Sequence, residues 1–345
     1  MRNALGLMLA SVLAAVVIAG VWFWTSSSRS DAAPPQTMAA RAAEPLVARS
    51  AAKDDVEVTA GLSKLATATA PATATAPAVA QSKTAVCANP DALGVSRTVV
   101  IDTTGGPGFG FLQYKQFDFL TDHEVVLTFD DGPWPTTPTV LKALADECTK
   151  AVFFPIGLHT TYHPEILKQV AAAGHTIGAH TWSHAHLDSK KLTEQQAKDE
   201  IEKGFSAVKM ALGAAPSPFF RFPALAHTQA TLGYLNGRNI AMFSCDVDSF
   251  DFKSSGPDQI IQNVMTKLDK QGKGIILMHD LQKHTAQALP TLLRRLKAGG
   301  YKVVQMKAKE QLETLAEYDA LLVKDQKVPA VASRPISSVV QTVSQ

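Results

Sequence analysis

Asp130 and Asp131 stand side by side after the apolar run Val125-Val126-Leu127-Thr128-Phe129, and Gly132-Pro133 turns the chain away behind them. Successive side chains at the end of an extended strand diverge, so one carboxylate can bind a cation while its neighbour stays free as a base. Without a partner site the same four residues would be a solvated turn. His180 and His184, four apart with Trp182 and Ser183 between them, place two imidazoles on one face of a helical turn, as zinc and other divalent metals require. One carboxylate and two imidazoles make a three-ligand set, which leaves positions open for water and substrate and so suits hydrolysis rather than a closed structural site. His279 follows the apolar run Gly274 to Met278, and amide hydrolysis needs an acid to protonate the departing amine. A second pair, His159 and His163, is set aside: His163 precedes Pro164 at a helix start, where capping explains it, and no acid of the same loop completes a ligand set. His175, His186, His227 and His284 read as surface or capping residues.

Positioning these groups requires an alternation of short strands and helices. Apolar runs at Val125 to Phe129, Ala151 to Ile156, His175 to Ala179, Pro218 to Phe222, Ile240 to Cys245, Gly274 to Met278 and Tyr301 to Gln305 predict about seven strands. Helical stretches near Pro138 to Glu147, Pro164 to Ala173, Thr193 to Leu212, Pro257 to Lys270 and Ala286 to Ala298 separate most of them. The class is α/β, with a parallel sheet either open and doubly wound or closed as a barrel. In both forms the loops at the carboxyl edge of the sheet face one cleft. Asp130 and Asp131, His180 to His184, Arg221, Asp246 to Asp251, and His279 with Asp280 all fall at that edge.

The ends of the chain read differently. Ala4 to Trp24 is an uncharged apolar run that as a helix would span about 31 Å, enough to cross a bilayer. With Arg2 before it and Trp22 and Trp24 closing it, residues 1–24 form either a transmembrane anchor, reaching the membrane through residues 4–24, or a signal peptide cleaved near Ser30-Asp31-Ala32. Both place the remainder outside the cytoplasm, in the periplasm or at the cell surface. Residues 25–85, rich in Ala, Thr and Pro, read as a linker, 86–119 as an extension packed on the domain, 120–310 as the catalytic domain and 311–345 as a tail without assigned function. A formal charge of +2, from 33 Lys+Arg against 31 Asp+Glu, argues against nucleic acid as a partner, and no obligate protein partner is inferred. Three cysteines without a Cys-x-x-Cys spacing exclude a thiolate zinc finger and a thioredoxin-like centre. Cys87 and Cys148 either pair or stay free, and Cys245 lies as a buried thiol in a strand.

TFDDGP at 128–133, HTWSH at 180–184, RFPA at 221–224, DSFDF at 248–252 and LMH at 277–279, in that order, resemble the five motifs of the polysaccharide deacetylase family, also called the NodB homology domain or carbohydrate esterase family 4. The resemblance implies a distorted (β/α)7 barrel. It assigns Asp131, His180 and His184 to one divalent metal ion, most often zinc, Asp130 to the general base and His279 to the general acid. Arg221 would orient the base and Asp251 tune the acid. The implied activity is removal of N-acetyl groups from a polysaccharide such as peptidoglycan or a chitin-like polymer. An O-acetyl esterase on xylan-like material, or a catalytically silent membrane-anchored carbohydrate-binding protein, are the alternatives. Two positions depart from the family pattern: Phe252 stands where Trp is usual and Ala224 where Tyr is usual, which bears on substrate choice. Trp134 and Trp182 adjoin the expected site, where an aromatic face can stack on a sugar ring or serve core packing.

Overall fold

The computed structural model describes residues 87 and 89–327; the expected anchor or signal, the whole of the expected linker, residues 86 and 88 of the expected extension, and the end of the chain lie outside the described residues. In chain order the elements are β1 (Arg97–Ile101), β2 (Gly108–Phe109), β3 (Glu124–Asp130), α1 (Thr137–Asp146), β4 (Val152–Phe154), α2 (Gly157–Tyr162), α3 (Pro164–Ala172), β5 (Thr176–Ile177), α4 (Glu194–Leu212), β6 (Phe219–Phe220), α5 (Gln229–Gly237), β7 (Ala241–Phe243), β8 (Val247–Asp248), α6 (Pro257–Gln271), β9 (Gly274–His279), α7 (Lys283–Ala298), β10 (Lys302–Ala308) and α8 (Ala316–Lys327).

Every residue of β3 is buried, and so is β9 up to Met278. Strands buried on both faces read as continuous apolar runs because helices cover them outside and a core fills them inside. All strand pairs among the described residues are parallel. β9 pairs along one edge of β3 from Val125 to Asp130, while β10 takes the first residues of the other edge and β4 the last. From β4 the pairing passes to β5, and a single bridge between Ala179 and Phe220 carries it to β6 and then β7. β8 follows β7 after only Ser244, Cys245 and Asp246, and pairs with β9. The run from β7 to β8 therefore hands the ring from β6 across to β9, an arrangement consistent with a distorted barrel whose thinnest seam is one bridge. β1 lies outside the ring on β10, and β2 on β7.

Helix boundaries follow local chemistry. Thr193 and Gln196 form a capping box at the start of α4, and Gly213, at φ 72°, ends it in the left-handed conformation that glycine adopts without steric cost. The sequence reading missed β1, β2, β8, α2, α5 and α8. Residues 311–327 are not a detached tail: Leu312 and Leu322 are buried, Lys209 Nζ pairs with Asp319 at 2.8 Å, and the Tyr318 hydroxyl donates to Asp199 at 2.7 Å. Cys87 and Cys148 form a disulfide, resolving the open alternative, and burial pushes the Cys245 thiol up to about 12. No helix among the described residues is long and apolar enough to cross a membrane.

Candidate active site and metal centre

β3 delivers both acids, but not as an ordinary strand end would. Asp131 adopts φ 73°, in the left-handed region, instead of continuing the extended backbone. The expected divergence of the two carboxylates is therefore incomplete: Asp130 Oδ2 and Asp131 Oδ1 lie 3.9 and 3.5 Å from the same atom, His180 Nε2. Asp131 Oδ1 is also 3.4 Å from His184 Nε2. Two ligands bound tetrahedrally at about 2.1 Å from zinc are separated by about 3.4 Å, so these spacings suit a shared cation. The third separation is also short, since the three ligand atoms all lie within 4.8 Å of one another.

The expected helical turn under the histidines is absent. His180 to His184 is a loop with positive φ at Thr181 and His184, because its backbone is committed elsewhere. Thr181 and Trp182 carbonyls accept from the Gly157 and Leu158 N–H groups at the start of α2, and the Trp182 N–H donates to the Glu200 carbonyl on α4. Gly204 on α4 permits this approach: a Cβ there would lie 2.7 Å from the Thr181 carbonyl carbon.

Donor chemistry fits a metal. His180 Nδ1 donates to the Arg221 carbonyl at 2.6 Å, which fixes the tautomer that leaves Nε2 with its lone pair. Burial pushes the pKa values of His180 and His184 down, against the pull of the nearby carboxylates, and so favours the neutral imidazole that binds metal. Burial raises that of Asp131, against the attraction of His180 and His279. Asp131 Oδ1 is a buried oxygen without a hydrogen-bond partner, a costly state for a carboxylate unless something else meets it. The residues present thus fit a divalent ion held by one carboxylate oxygen and two Nε2 atoms.

Two ion-paired groups flank this cluster. Arg221, fully buried after β6, donates from one guanidinium nitrogen to Asp130 Oδ1 and Thr128 Oγ1, each at 2.7 Å, and from the other to the Ser244 carbonyl at 2.8 Å. One oxygen of Asp130 is thereby occupied and Oδ2 is left toward the histidines. On the other side, His279 Nδ1 donates to Asp251 Oδ1 at 2.6 Å, while Asp251 Oδ2 accepts from the His279 N–H at 2.7 Å and from the Thr285 hydroxyl at 2.5 Å. His279 Nε2 points inward, 4.0 Å from Asp131 Oδ2. Burial works against charge on His279, but the hydrogen bond and charge of Asp251, with Asp131 and Asp130 beyond, prevail and push its pKa up to about 9. β3–β9 register makes Asp130 and His279 direct neighbours across the sheet.

The structure thus brings Asp130, Asp131, His180, His184, Arg221, Asp251 and His279 to one end of the sheet. Phe252, half exposed, meets the His279 ring edge-on at 5.6 Å, and Ala224 sits exposed in the turn Pro223–Leu225 with φ 52°. Trp134 packs on His159, with ring centroids 4.8 Å apart, and the Lys203 ammonium lies 4.3 Å from the Trp182 ring centroid. Two further participants are given no role in the sequence analysis, Asp280, already placed at the carboxyl edge, and His159. Asp280 is buried beneath the Asp131-Gly132 turn, accepting from the Gly132 N–H at 3.0 Å and the Thr137 hydroxyl at 2.5 Å, and burial pushes it up to about 7. Its place directly after His279 at the carboxyl edge was the available signal. His159, set aside with His163, donates from Nδ1 to the Asp131 carbonyl at 2.6 Å; four-residue spacing gave no hint of that partner.

Parallel strands with carboxylates and imidazoles gathered at their carboxyl edge define an α/β fold carrying a candidate metal site. The polysaccharide deacetylase family model matches residues 120–242. Peptidoglycan-N-acetylglucosamine deacetylase PgdA of Listeria monocytogenes is 32% identical over 188 residues, covering 53% of this chain and 38% of that protein. Chitooligosaccharide deacetylase of Bradyrhizobium sp. is 31% identical over 164 residues, 47% of this chain and 73% of that protein. Among solved structures, a peptidoglycan deacetylase of Bdellovibrio bacteriovorus superposes with a TM-score of 0.56 at 33% identity, over 62% of this chain and 59% of that one. The chain belongs to the polysaccharide deacetylase family. It spans well under half the length of the Listeria relative.

Proposed function

We propose that this protein is a metal-dependent hydrolase that removes N-acetyl groups from the sugars of a polysaccharide, with peptidoglycan as the first candidate and chitin-like chains as the second. The observation that carries the reading is the pair of short separations from Asp131 Oδ1 to two imidazole nitrogens, with an arginine-held acid on one side and a carboxylate-held imidazole on the other. The names of the Listeria, Bradyrhizobium and Bdellovibrio relatives support the substrate class.

Asp131, His180 and His184 would hold the ion, most simply zinc, whose Lewis acidity would polarise the acetyl carbonyl and the attacking water. Asp130 takes a proton from that water through Oδ2, because Arg221 occupies Oδ1 and holds the carboxylate in place. His279, carrying its proton on Nε2, delivers it to the departing sugar amine; Asp251 keeps the ring oriented and charged. Phe252 supplies an apolar wall beside that acid, and the exposed Trp134 face can stack on a sugar ring. The catalytic domain covers residues 120–310 on this reading. Residues 1–24 deliver it outside the cytoplasm as anchor or signal, and 25–85 tether it.

Acetate release from peptidoglycan, chitin oligomers and acetylated xylan, with and without a chelator, tests the proposal. Release from the first two that a chelator abolishes is expected. Release from xylan alone would make the protein an O-acetyl esterase, and no release from any substrate with metal present would make it a binding protein.

A further inference from the structure

The proposed metal centre has two halves carried by different loops: Asp131 after β3, and His180 with His184 after β5. Both are gripped by the first turn of α2. Gly157 and Leu158 N–H groups hold the Thr181 and Trp182 carbonyls between the histidines, at 2.9 and 2.8 Å. From the same turn, His159 Nδ1 holds the Asp131 carbonyl at 2.6 Å.

The Asp131-Gly132 peptide is fixed at both its ends, its oxygen by His159 and its N–H by Asp280 Oδ1 at 3.0 Å. The peptide before it is held where the Asp131 N–H donates to the Phe154 carbonyl at 3.2 Å. These three bonds maintain an aspartate at φ 73°, a conformation that L-residues other than Asn, Asp and His seldom adopt. That backbone, not the side-chain rotamer alone, swings Oδ1 back to within 3.5 and 3.4 Å of the two Nε2 atoms. The Trp134 ring, 4.8 Å away, packs against the His159 ring and limits its rotation.

We infer that His159 is a positioning residue for the metal centre: its Nδ1–H sets the Asp131 backbone, and through it the aim of the ligand oxygen, relative to the two histidines. This rests on the metal-site reading above. His159 touches neither substrate nor reacting atoms in this role, and an unpaired imidazole at a helix start would not need a carbonyl partner at the site's own ligand.

The requirement is for a donor one bond beyond Cγ. An asparagine amide nitrogen occupies that place, a glutamine amide lies one bond further out, and phenylalanine keeps a ring for Trp134 but has no donor. Zinc affinity, measured by competition with a chromophoric chelator, and the visible spectrum of the cobalt form are compared in the parent, His159→Asn, His159→Gln and His159→Phe, with thermal melting of each metal-free protein alongside. The expected result is near-parental affinity and spectrum in His159→Asn, and affinity lower by about tenfold to a hundredfold in His159→Gln and His159→Phe, the usual loss when the partner of a ligand is removed. Equal affinity in all four, or equal loss in His159→Asn and His159→Gln, overturns the inference. If His159→Phe does not fold, the Asn and Gln variants decide. A parent that binds neither ion would instead refute the metal-site reading itself.

Discussion

Asp251→Asn isolates the proposed general acid. The carboxylate makes two bonds to His279, from the ring at 2.6 Å and from the backbone N–H at 2.7 Å, and it is the leading influence raising a pKa that burial alone would lower. Asparagine can keep the shape and the backbone bond but not the charge. With burial then opposed only by Asp131 and Asp130, His279 titrates below about 9, shifted toward its ordinary 6.5. The whole interval corresponds to about 3 kcal/mol at 1.36 kcal/mol per pH unit. The acid works when protonated, so the parent's kcat/KM falls as pH rises through the region near 9, and the variant's falls at lower pH, with 6.5 as the limit in which Asp251 supplies the whole rise. In that limit about a tenth of the variant would hold the proton at pH 7.5, against nearly all of the parent, a loss of about tenfold from protonation alone. A neighbouring cation lowers the value in both proteins, so the displacement between the two profiles is the measured quantity. Stability should follow: a raised histidine contributes stability in full below its unfolded pKa and loses it as pH rises through the folded one. The parent's melting temperature should therefore decline between about 6.5 and 9 more steeply than the variant's. A basic limb of the acetate-release profile that stays in place in Asp251→Asn refutes the coupling.

Asp130→Asn should retain zinc, measured by metal analysis after gel filtration, yet lose turnover, whereas Asp131→Ala should lose both. Equal acetate release by Asp130→Asn and the parent would remove Asp130 from the base role. Arg221→Met leaves the Asp130 carboxylate buried without its ion-pair partner and should destabilise the fold by about 3 to 5 kcal/mol in denaturant unfolding. Gly204→Ala pushes a methyl into the Thr181 backbone and should lower both zinc affinity, through the loop that carries His180 and His184, and the stability of the metal-free protein, by about 1 to 3 kcal/mol in denaturant unfolding. Opening the Cys87–Cys148 bridge by Cys148→Ser frees a closure of 61 residues, worth about 4 kcal/mol in the chain-entropy account, and is read from denaturant midpoints under oxidising conditions.

Much of this site was legible in the chain. Asp130, Arg221 and His279 follow apolar runs because a parallel sheet offers its carboxyl ends to one cleft, but the pairing of β3 with β9 that sets Asp130 beside His279 is a matter of topology that the order of the runs does not carry. Less legible was the conformation of Asp131. Alternation along a strand predicts divergent neighbours, and only bonds from Phe154, His159 and Asp280, distant in sequence, hold it in the left-handed region. The same holds for His180 and His184, whose four-residue spacing mimics a helical turn while α2 and α4 claim the intervening backbone. α8 was missed because its buried face is small: Leu322 packs, while charged and phenolic side chains tie the helix to α4. β1 and β2 have too few residues, and β1 too mixed a burial, to show a period.

Where the chain departs from its family's pattern, burial separates two kinds of position. Arg221, Asp130, Asp251 and His180 are almost wholly buried, and the Arg221–Asp130 and His279–Asp251 pairs and the His180 Nδ1 bond hold groups whose partner's loss would strand a charge or a donor. Phe252 and Ala224 are exposed at the mouth, where replacing one side chain with another leaves no buried group unpaired. Exchange at the mouth therefore alters what the cleft can hold at little cost to the proton-handling groups below it. Phe252→Trp should accordingly change KM for a chosen glycan more than kcat, while leaving the pH profile set by the His279–Asp251 pair where it stands. A displaced profile would mean that the wall and the acid are one unit, and that the substrate is chosen by the same contacts that set the proton.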